Sequence, residues 1–400
     1  MTTETQSTSK EFQTGGVAVV STAHAVHDTY TGFLPALLPV LIDTFSLTNA
    51  AAGLLSLFMQ LPSLLQPVFG RLADRNNLKI LVVLAPTLTG AAMSLLGIAP
   101  NYGFLIFLLV LAGLSSASLH AVGPALGGRF AGNKLGRGMS FWMVGGELGR
   151  ALGPLVIVTA IGALGAAGLP WLMLAGLLTS IFLFWKLHPV STQLQITPKA
   201  GIDWKEALKS MRKVMLPLAF IIFTRAMMMT AITTFLPTFL TATGSSLLMA
   251  GASLTILQVA GMVGAFLAGG LSDRFGRRRI LVISFIVSPI LLFLFVQSEG
   301  ALQIPLLILL GFFAISVVPV IMAVVLENFP ENRSFANGIY MSMSFLIRAL
   351  VVLLVGFLAD LVDLRFTFLI SAGLLPFGLI FVRLLPGSPR HSGGAETSSR

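Results

Sequence analysis

Gly70-Arg71-Leu72-Ala73-Asp74-Arg75 and Gly269-Gly270-Leu271-Ser272-Asp273-Arg274 are two copies of one phrase, 199 residues apart in a chain of 400. Gly276 and Arg277-Arg278-Arg279 follow the second copy. Each copy closes one long apolar run and opens another. Self-similarity at half the chain length indicates a duplicated unit. In a membrane chain, repeated halves are the architecture of a transporter.

Composition points the same way. Hydrophobic residues make up 56%, charged residues 10%, and mean hydropathy is +0.92. A soluble domain carries about 25% charged residues, and a soluble core cannot hide this much apolar surface. The chain has no cysteine, which excludes a disulfide framework, a thiol nucleophile and a thiolate metal site. The first apolar run begins near Gly15, lacks a basic leader and contains His24, His27 and Asp28. It reads as a retained span rather than a cleaved signal.

A bilayer core takes about 20 apolar residues per helix. Runs of that kind fall at 16–42, 51–70, 79–98, 102–127, 139–161, 168–187, 214–241, 249–269, 280–298, 302–326, 336–357 and 364–385. The expected fold is therefore an all-α membrane protein of twelve transmembrane helices, as two six-helix bundles, 16–187 and 214–385. Tails at 1–15 and 386–400 flank them, and a polar, basic linker, 188–213, joins them. From Asp203 to Lys213 the linker alternates Trp204, Leu208 and Met211 with Lys205, Lys209 and Arg212, the pattern of a helix lying on a membrane surface.

Three of the 25 basic residues, Arg150, Arg225 and Arg348, lie deep inside spans, and Arg365 lies at the edge of the twelfth, beside the loop after the eleventh. All others fall in the termini or in the loops on the termini side. The positive-inside rule places both termini and the linker in the cytoplasm. This bias, with anionic inner-leaflet lipid as partner, accounts for the net charge of +10 without nucleic acid.

The repeat extends beyond one phrase. Phe33-Leu34-Pro35 matches Phe235-Leu236-Pro237, and Met143 with Arg150-Ala151-Leu152 matches Met341 with Arg348-Ala349-Leu350. Offsets run from 198 to 202, so the halves are parallel copies. These residues resemble the major facilitator superfamily over the whole chain. That resemblance implies two bundles related by a pseudo-twofold along the membrane normal. It also implies a cytoplasmic gate at the duplicated loops, formed by Gly70, Asp74, Arg75, Gly269, Asp273 and Arg274, with the aspartates meeting helix N-termini and arginines. The alternative is that the basic residues there only set topology.

Three phrases resemble the fosmidomycin-resistance branch of that family: His24-Ala25-Val26-His27-Asp28, Ser63-Leu64-Leu65-Gln66-Pro67-Val68-Phe69-Gly70, and Ser115-Ser116 followed by His120. Gly145-Gly146, Gly149 and Gly153-Pro154 also resemble the fifth-span motif of proton-coupled drug exporters; such glycines allow close helix approach. The branch carries Asn at the place of His27 and small neutral residues at those of Glu147 and Arg150. The resemblance implies residence in a bacterial cytoplasmic (inner) membrane.

Ionisable groups inside spans are costly and face a cavity or one another. At ~1.5 Å per residue, Asp28, Arg150, Arg225 and Arg348 all lie near the midplane. Glu147 is one turn from Arg150, His24 one turn from Asp28, and His120 lies at similar depth. Burial penalises a carboxylate charge while an arginine favours it, so Asp28 is a candidate proton carrier, with His24, His27, His120 and Glu147 as relays. The alternatives are a hydrogen-bonded structural acid at Asp28, helix-to-helix hydrogen bonds for the histidines, and a neutralised structural pair for Glu147–Arg150. Three deep arginines against two deep carboxylates favour an anionic guest. Arg150, Arg225, Arg348, Gln258 and Tyr340 are the candidate substrate contacts. His24, His27 and Asp28 share a helix face that suits a divalent ion, but arginines nearby repel cations, so no metal and no other cofactor is expected.

The functional reading is a monomeric, proton-coupled antiporter that exports a small organic anion or drug. The alternatives are a symporter or facilitator importing an anionic metabolite, and a receptor or scaffold without transport. No nucleophile–base pair or His-Glu-x-x-His motif points to an enzyme. The topology is directly testable in this cysteine-free chain. Cysteines placed at Thr3 and Ser398 are expected to react with an impermeant thiol reagent only after the cells are opened; reaction in intact cells would reverse the orientation.

Overall fold

The structure, a computed structural model, describes residues 11–76, 78–132, 134–187, 204–329 and 333–385. Side chains at 71, 73–75, 135–136, 204–210 and 333–335 are not described. The tail 1–10, most of the linker and the tail 386–400 lie outside these residues. All regular structure among them is helical. The first half runs through α1 (Thr14–Thr31), α2 (Phe33–Phe45), α3 (Asn49–Gln60), α4 (Gln66–Arg75), α5 (Lys79–Ser94), α6 (Tyr102–Ala131), α7 (Leu135–Gly168) and α8 (Met173–Leu187). The second runs through α9 (Trp204–Ala242), α10 (Leu247–Phe275), α11 (Arg277–Gln297), α12 (Gln303–Ile315), α13 (Val317–Asn328), α14 (Arg333–Leu374) and α15 (Gly378–Leu384).

Among the described residues, nine helical stretches have the length and apolarity to cross a membrane. Two of these, Arg137–Leu187 and Ala336–Leu384, are 51 and 49 residues long, far beyond the ~30 Å hydrocarbon core at ~1.5 Å per residue. Each contains a break. Gly165 takes φ +66°, a conformation glycine reaches without steric cost. Asp363 takes φ +73° and accepts a hydrogen bond from Phe366 N at 2.9 Å, capping the helix that follows. Exposed apolar residues such as Phe266, at 83% of its full accessibility, and Trp185, at 74%, suit lipid contact.

Proline sets several other breaks. Pro35 has no N–H for the Thr31 carbonyl, and the chain bends at Gly32 between α1 and α2. Pro319 likewise cannot reach Ile315, and α12 gives way to α13 at Ser316. The helix expected in the second part of the linker is present from Trp204. From Trp204 the chain is helical and runs unbroken into α9, a 39-residue helix. Pro217 lies inside this helix and leaves the Lys213 carbonyl without its i+4 donor, at the junction of linker and span.

In the first half α1 packs on α5, α6 and α7, and α5 on α6 and α8; in the second, α9 packs on α14 and α10 on α12. The halves meet through α3 with α14, α7 with α10 and α2 with α9. The first two are the same contact with the halves exchanged. They close the end of the molecule opposite the termini. A Cβ on Gly53 would lie 2.9 Å from the Val352 carbonyl oxygen, and one on Gly356 would lie 2.6 Å from that of Asn49, so the backbones touch. Asp360 completes the seal. Its Oδ1 accepts from Asn49 N at 2.7 Å and its Oδ2 from Ala50 N at 2.9 Å. One carboxylate thus caps the start of α3 from across the halves, where unpaired N–H groups and the helix dipole favour negative charge.

Asp360→Ala is expected to loosen this end by about 1–2 kcal/mol. Amide hydrogen exchange at Asn49 and Ala50 should then rise roughly five- to thirtyfold with the rest of α3 little changed. Unchanged exchange would show that the carboxylate contributes nothing to closure.

Candidate functional site

The site is built on a glycine seam. A Cβ on Gly145 would stand 2.5 Å from the Ser21 carbonyl oxygen, on Gly149 2.2 Å from that of Ala25, and on Gly153 2.4 Å from that of Thr29. These glycines recur every fourth residue on α7 and meet every fourth residue on α1, so two backbones lie in contact. The seam brings Arg150 over Asp28. Arg150 Nη1 lies 2.9 Å from Asp28 Oδ2, and its Nη2 pairs with Glu147 Oε1. Asp28 is 1% exposed.

All three histidines join this pair. His24 Nε2 is 3.3 Å from Asp28 Oδ2, while His27 Nε2 and His120 Nε2 are each 3.8 Å from Asp28 Oδ1. His24 and His120 meet through their Nε2 atoms at 3.1 Å. His24 Nδ1 donates to the Trp142 carbonyl at 2.9 Å, and its ring stacks on the Trp142 ring at 3.9 Å. His120 Nδ1 donates to the Ser116 carbonyl at 2.9 Å. His27 Nδ1 lies 3.0 Å from Thr89 Oγ1, and its Nε2 has no partner. His24 and His27 are buried; the His120 side chain is 27% exposed. Donor atoms of His24, Asp28 and His120 lie within 4.8 Å of one another, a spacing a single cation can bridge. Arg150 already sits on the Oδ2 that His24 also approaches.

A cavity of about 400 Å³ lies beside this cluster, between the halves. Asp28, His120, Arg150, Gln258 and Arg348 line it. Gln258 Nε2 reaches the Arg150 carbonyl at 3.4 Å, a bond between halves. Arg348 stands 4.8 Å over the Phe345 ring and has no ion pair among the described residues. Arg225 and Tyr340 are not in the wall. Tyr340 is 6% exposed, and Arg225 offers Nη2 to the Ala314 carbonyl at 3.5 Å while its Nε has no partner. Arg150, Arg225, Tyr340 and Glu147 all lie close enough to act electrostatically on Arg348.

Sequence reasoning missed several wall residues. Ser56, Gln60, Thr230, Thr233 and Thr234 line the cavity. Thr230, Thr233 and Thr234 fall at i, i+3 and i+4, a polar stripe on an apolar span and a readable signal.

The duplicated loops are clearest in the second copy. Asp273 lies at the junction of α10 and the N-terminus of α11. It pairs with Arg277, whose Nη2 also binds Glu327 Oε1 at 2.7 Å. Arg274 lies 5.4 Å from the Phe275 ring centre. The side chains of Asp74 and Arg75 lie outside the described residues. A Cβ on Gly70, Gly269 or Gly270 would meet nothing within 4 Å, so the glycines of both phrases face open space at the termini end.

Comparison with known proteins agrees with this architecture. The model of the Major Facilitator Superfamily matches residues 20–267 and 218–400. The fosmidomycin resistance protein of Escherichia coli K12 is 26% identical over 376 residues, 92% of each chain. An uncharacterised transporter of the same superfamily from Bacillus subtilis 168, YfnC, is 27% identical over 382 residues, 93% of each chain. Among solved structures, a bacterial homolog of the human lysosomal transporter Spinster, in its inward-facing, unoccupied conformation, aligns with a TM-score of 0.77 over 94% of this chain and 98% of that one, at 14% identity. With matching halves, a cavity between them and ionisable groups gathered on its wall, the chain belongs to the Major Facilitator Superfamily and resembles, along most of its length, that family's fosmidomycin-resistance branch.

Proposed function

We propose that the chain forms twelve transmembrane helices, in two six-helix bundles, with both termini in the cytoplasm of a bacterial cell. Twelve follows if the two long stretches each contribute two spans and α1 with α2 contributes the first. With the termini inside, the closed end at Asp360 is extracellular and the open end cytoplasmic, an inward-open carrier. Closure of the cytoplasmic end would bring opposing helices onto the vacant faces of Gly70 and Gly269, with Asp74 and Asp273 bracing that state.

The protein is a proton-coupled exporter of a small organic anion. The observation that carries this reading is Arg348 in the cavity wall with no ion pair among the described residues. A guanidinium in a low-dielectric cavity attracts carboxylate, phosphate or phosphonate and binds it through a two-pronged fork. The first-half arginine, Arg150, is already matched by Asp28 and Glu147. Asp28 and its histidines supply the titratable groups that a coupled cycle needs. Export is favoured by the resistance function in the name of the Escherichia coli relative.

One observation favours a second reading, import by symport. The Asp28 cluster and Arg348 share one cavity, and a bound proton attracts a bound anion. Coulomb's law alone thus favours loading both together; exchange requires that the carrier reorient with either guest and not with both. Anion binding measured against pH separates the two. Symport predicts affinity that rises as pH falls through the histidine range, antiport affinity that falls or holds constant.

The anion site is tested with Arg348→Gln. Loss of a charge-assisted contact, about 1.5–3 kcal/mol, should weaken binding of the best anion in a thermal-shift screen roughly ten- to hundredfold. Unchanged affinity would return Arg348 to a structural role. Asp28→Asn should abolish accumulation driven by a pH gradient in proteoliposomes; full gradient-driven accumulation would remove the cluster from the coupling path.

A further inference from the structure

We propose that the coupled proton resides between His24 Nε2 and His120 Nε2, while Asp28 stays a carboxylate throughout. The proposal rests on the proton-coupled reading above and holds for either direction of transport.

The argument is an account of hydrogens. A backbone carbonyl can only accept. The Trp142 carbonyl 2.9 Å from His24 Nδ1 and the Ser116 carbonyl 2.9 Å from His120 Nδ1 therefore fix a hydrogen on each Nδ1. In a neutral imidazole that leaves each Nε2 as a bare lone pair. These two lone pairs face each other at 3.1 Å, a hydrogen-bonding distance at which two acceptors repel. One added proton converts the contact into N–H···N, and one of the two rings becomes an imidazolium.

His27 obeys the same rule. Ser115 donates to the Ala85 carbonyl at 3.2 Å and Thr89 donates to Ser115 Oγ at 2.8 Å. The Thr89 oxygen is then left to accept from His27 Nδ1. All three rings are held as Nδ1–H, with Nε2 turned toward one carboxylate. The orphaned His27 Nε2, fully buried and 3.8 Å from Asp28 Oδ1, is an unfilled acceptor beside the occupied pair.

Charge decides what the acceptors hold. Facing the pair are Asp28 and His27 from α1, Glu147 and Arg150 from α7, and only the neutral Thr89 from α5. Lys79 and Lys186 stand at the ends of α5 and α8, and Arg348 approaches across the cavity. Asp28 and Glu147 against Arg150 sum to one negative charge, and a single proton makes the cluster neutral. A divalent ion would leave it positive, next to Arg150 and Arg348. Arg150 already occupies Asp28 Oδ2 at 2.9 Å, so the base with room for a proton is imidazole. His120 lines the cavity and is partly exposed, whereas His24 is buried. Exchange with water thus runs through His120.

Nitrogen NMR of the full-length protein, with isotope-labelled histidine, in lipid nanodiscs, tests the site. The expected result is one proton shared by His24 and His120, seen as through-bond coupling between their Nε2 nuclei that His120→Gln abolishes, with no protonated-carboxyl band assignable to Asp28 in infrared spectra. Two unprotonated Nε2 atoms across the working pH range, or a protonated-carboxyl band that Asp28→Asn removes, would overturn the proposal. So would stoichiometric zinc bound to the purified protein and lost in His120→Gln. In proteoliposomes His120→Gln should cut gradient-driven accumulation by roughly tenfold or more; unchanged accumulation would overturn the site while proton coupling in the parent protein stands. A parent protein whose transport ignores the pH gradient would instead overturn the coupled reading and leave the shared proton to the spectra.

Discussion

Backbone contact between α1 and α7 is the constraint on which the site depends. Ser21, Ala25 and Thr29 present carbonyl oxygens to Gly145, Gly149 and Gly153 at spacings that leave no room for a methyl group. Only this approach allows Arg150, on one helix, to reach Asp28, buried on the other. An isolated carboxylate at that depth would be expensive, and the arginine makes it tolerable. The histidines then arrange themselves on a charge the seam has fixed in place. Trp142, one turn before Gly145, supplies both the carbonyl and the ring that orient His24.

The two ends of the molecule use different chemistry for closing. At the Asp360 end, glycines bring α3 and α14 into backbone contact, and a carboxylate satisfies N–H groups that would otherwise point at nothing. At the termini end the motif glycines are vacant, and the charges pair within their own half, Asp273 and Glu327 on Arg277.

The family and the all-helical membrane class were legible because they rest on composition and local phrases. The cluster was legible in part. His24, Asp28, Glu147 and Arg150 share helix faces, and helical spacing placed them correctly. That His120 would touch His24 Nε2 to Nε2 required knowing how α6 packs on α1, which spacing along one helix cannot give. Arg225 and Tyr340 were expected in the wall because depth was readable and azimuth was not. Asp360 went unread because it lies at a helix end, where a carboxylate is unremarkable until its partner helix is known. The linker was read from its amphipathic pattern, which is the same for a helix on a surface and for one extending a span.

The duplication itself explains how one cavity acquired two kinds of site. With the offsets of the repeat, Asp28 corresponds to Thr230, Glu147 to Phe345 and Arg150 to Arg348. Both arginines were kept, and both line the cavity. In the first half the arginine meets two carboxylates; in the second the same positions hold a hydroxyl and an aromatic ring, and Arg348 rests over Phe345. His24 and His27 correspond to Ala226 and Met229, so the second half also lacks the bases. The two halves thus differ in the charges they bring to one cavity. One half has a neutralised arginine beside groups that can hold a proton. The other has an arginine whose charge no carboxylate among the described residues cancels. The symmetry of the fold places the two arginines on opposite halves of one cavity, Arg150 held by two carboxylates and Arg348 by no ion pair among the described residues.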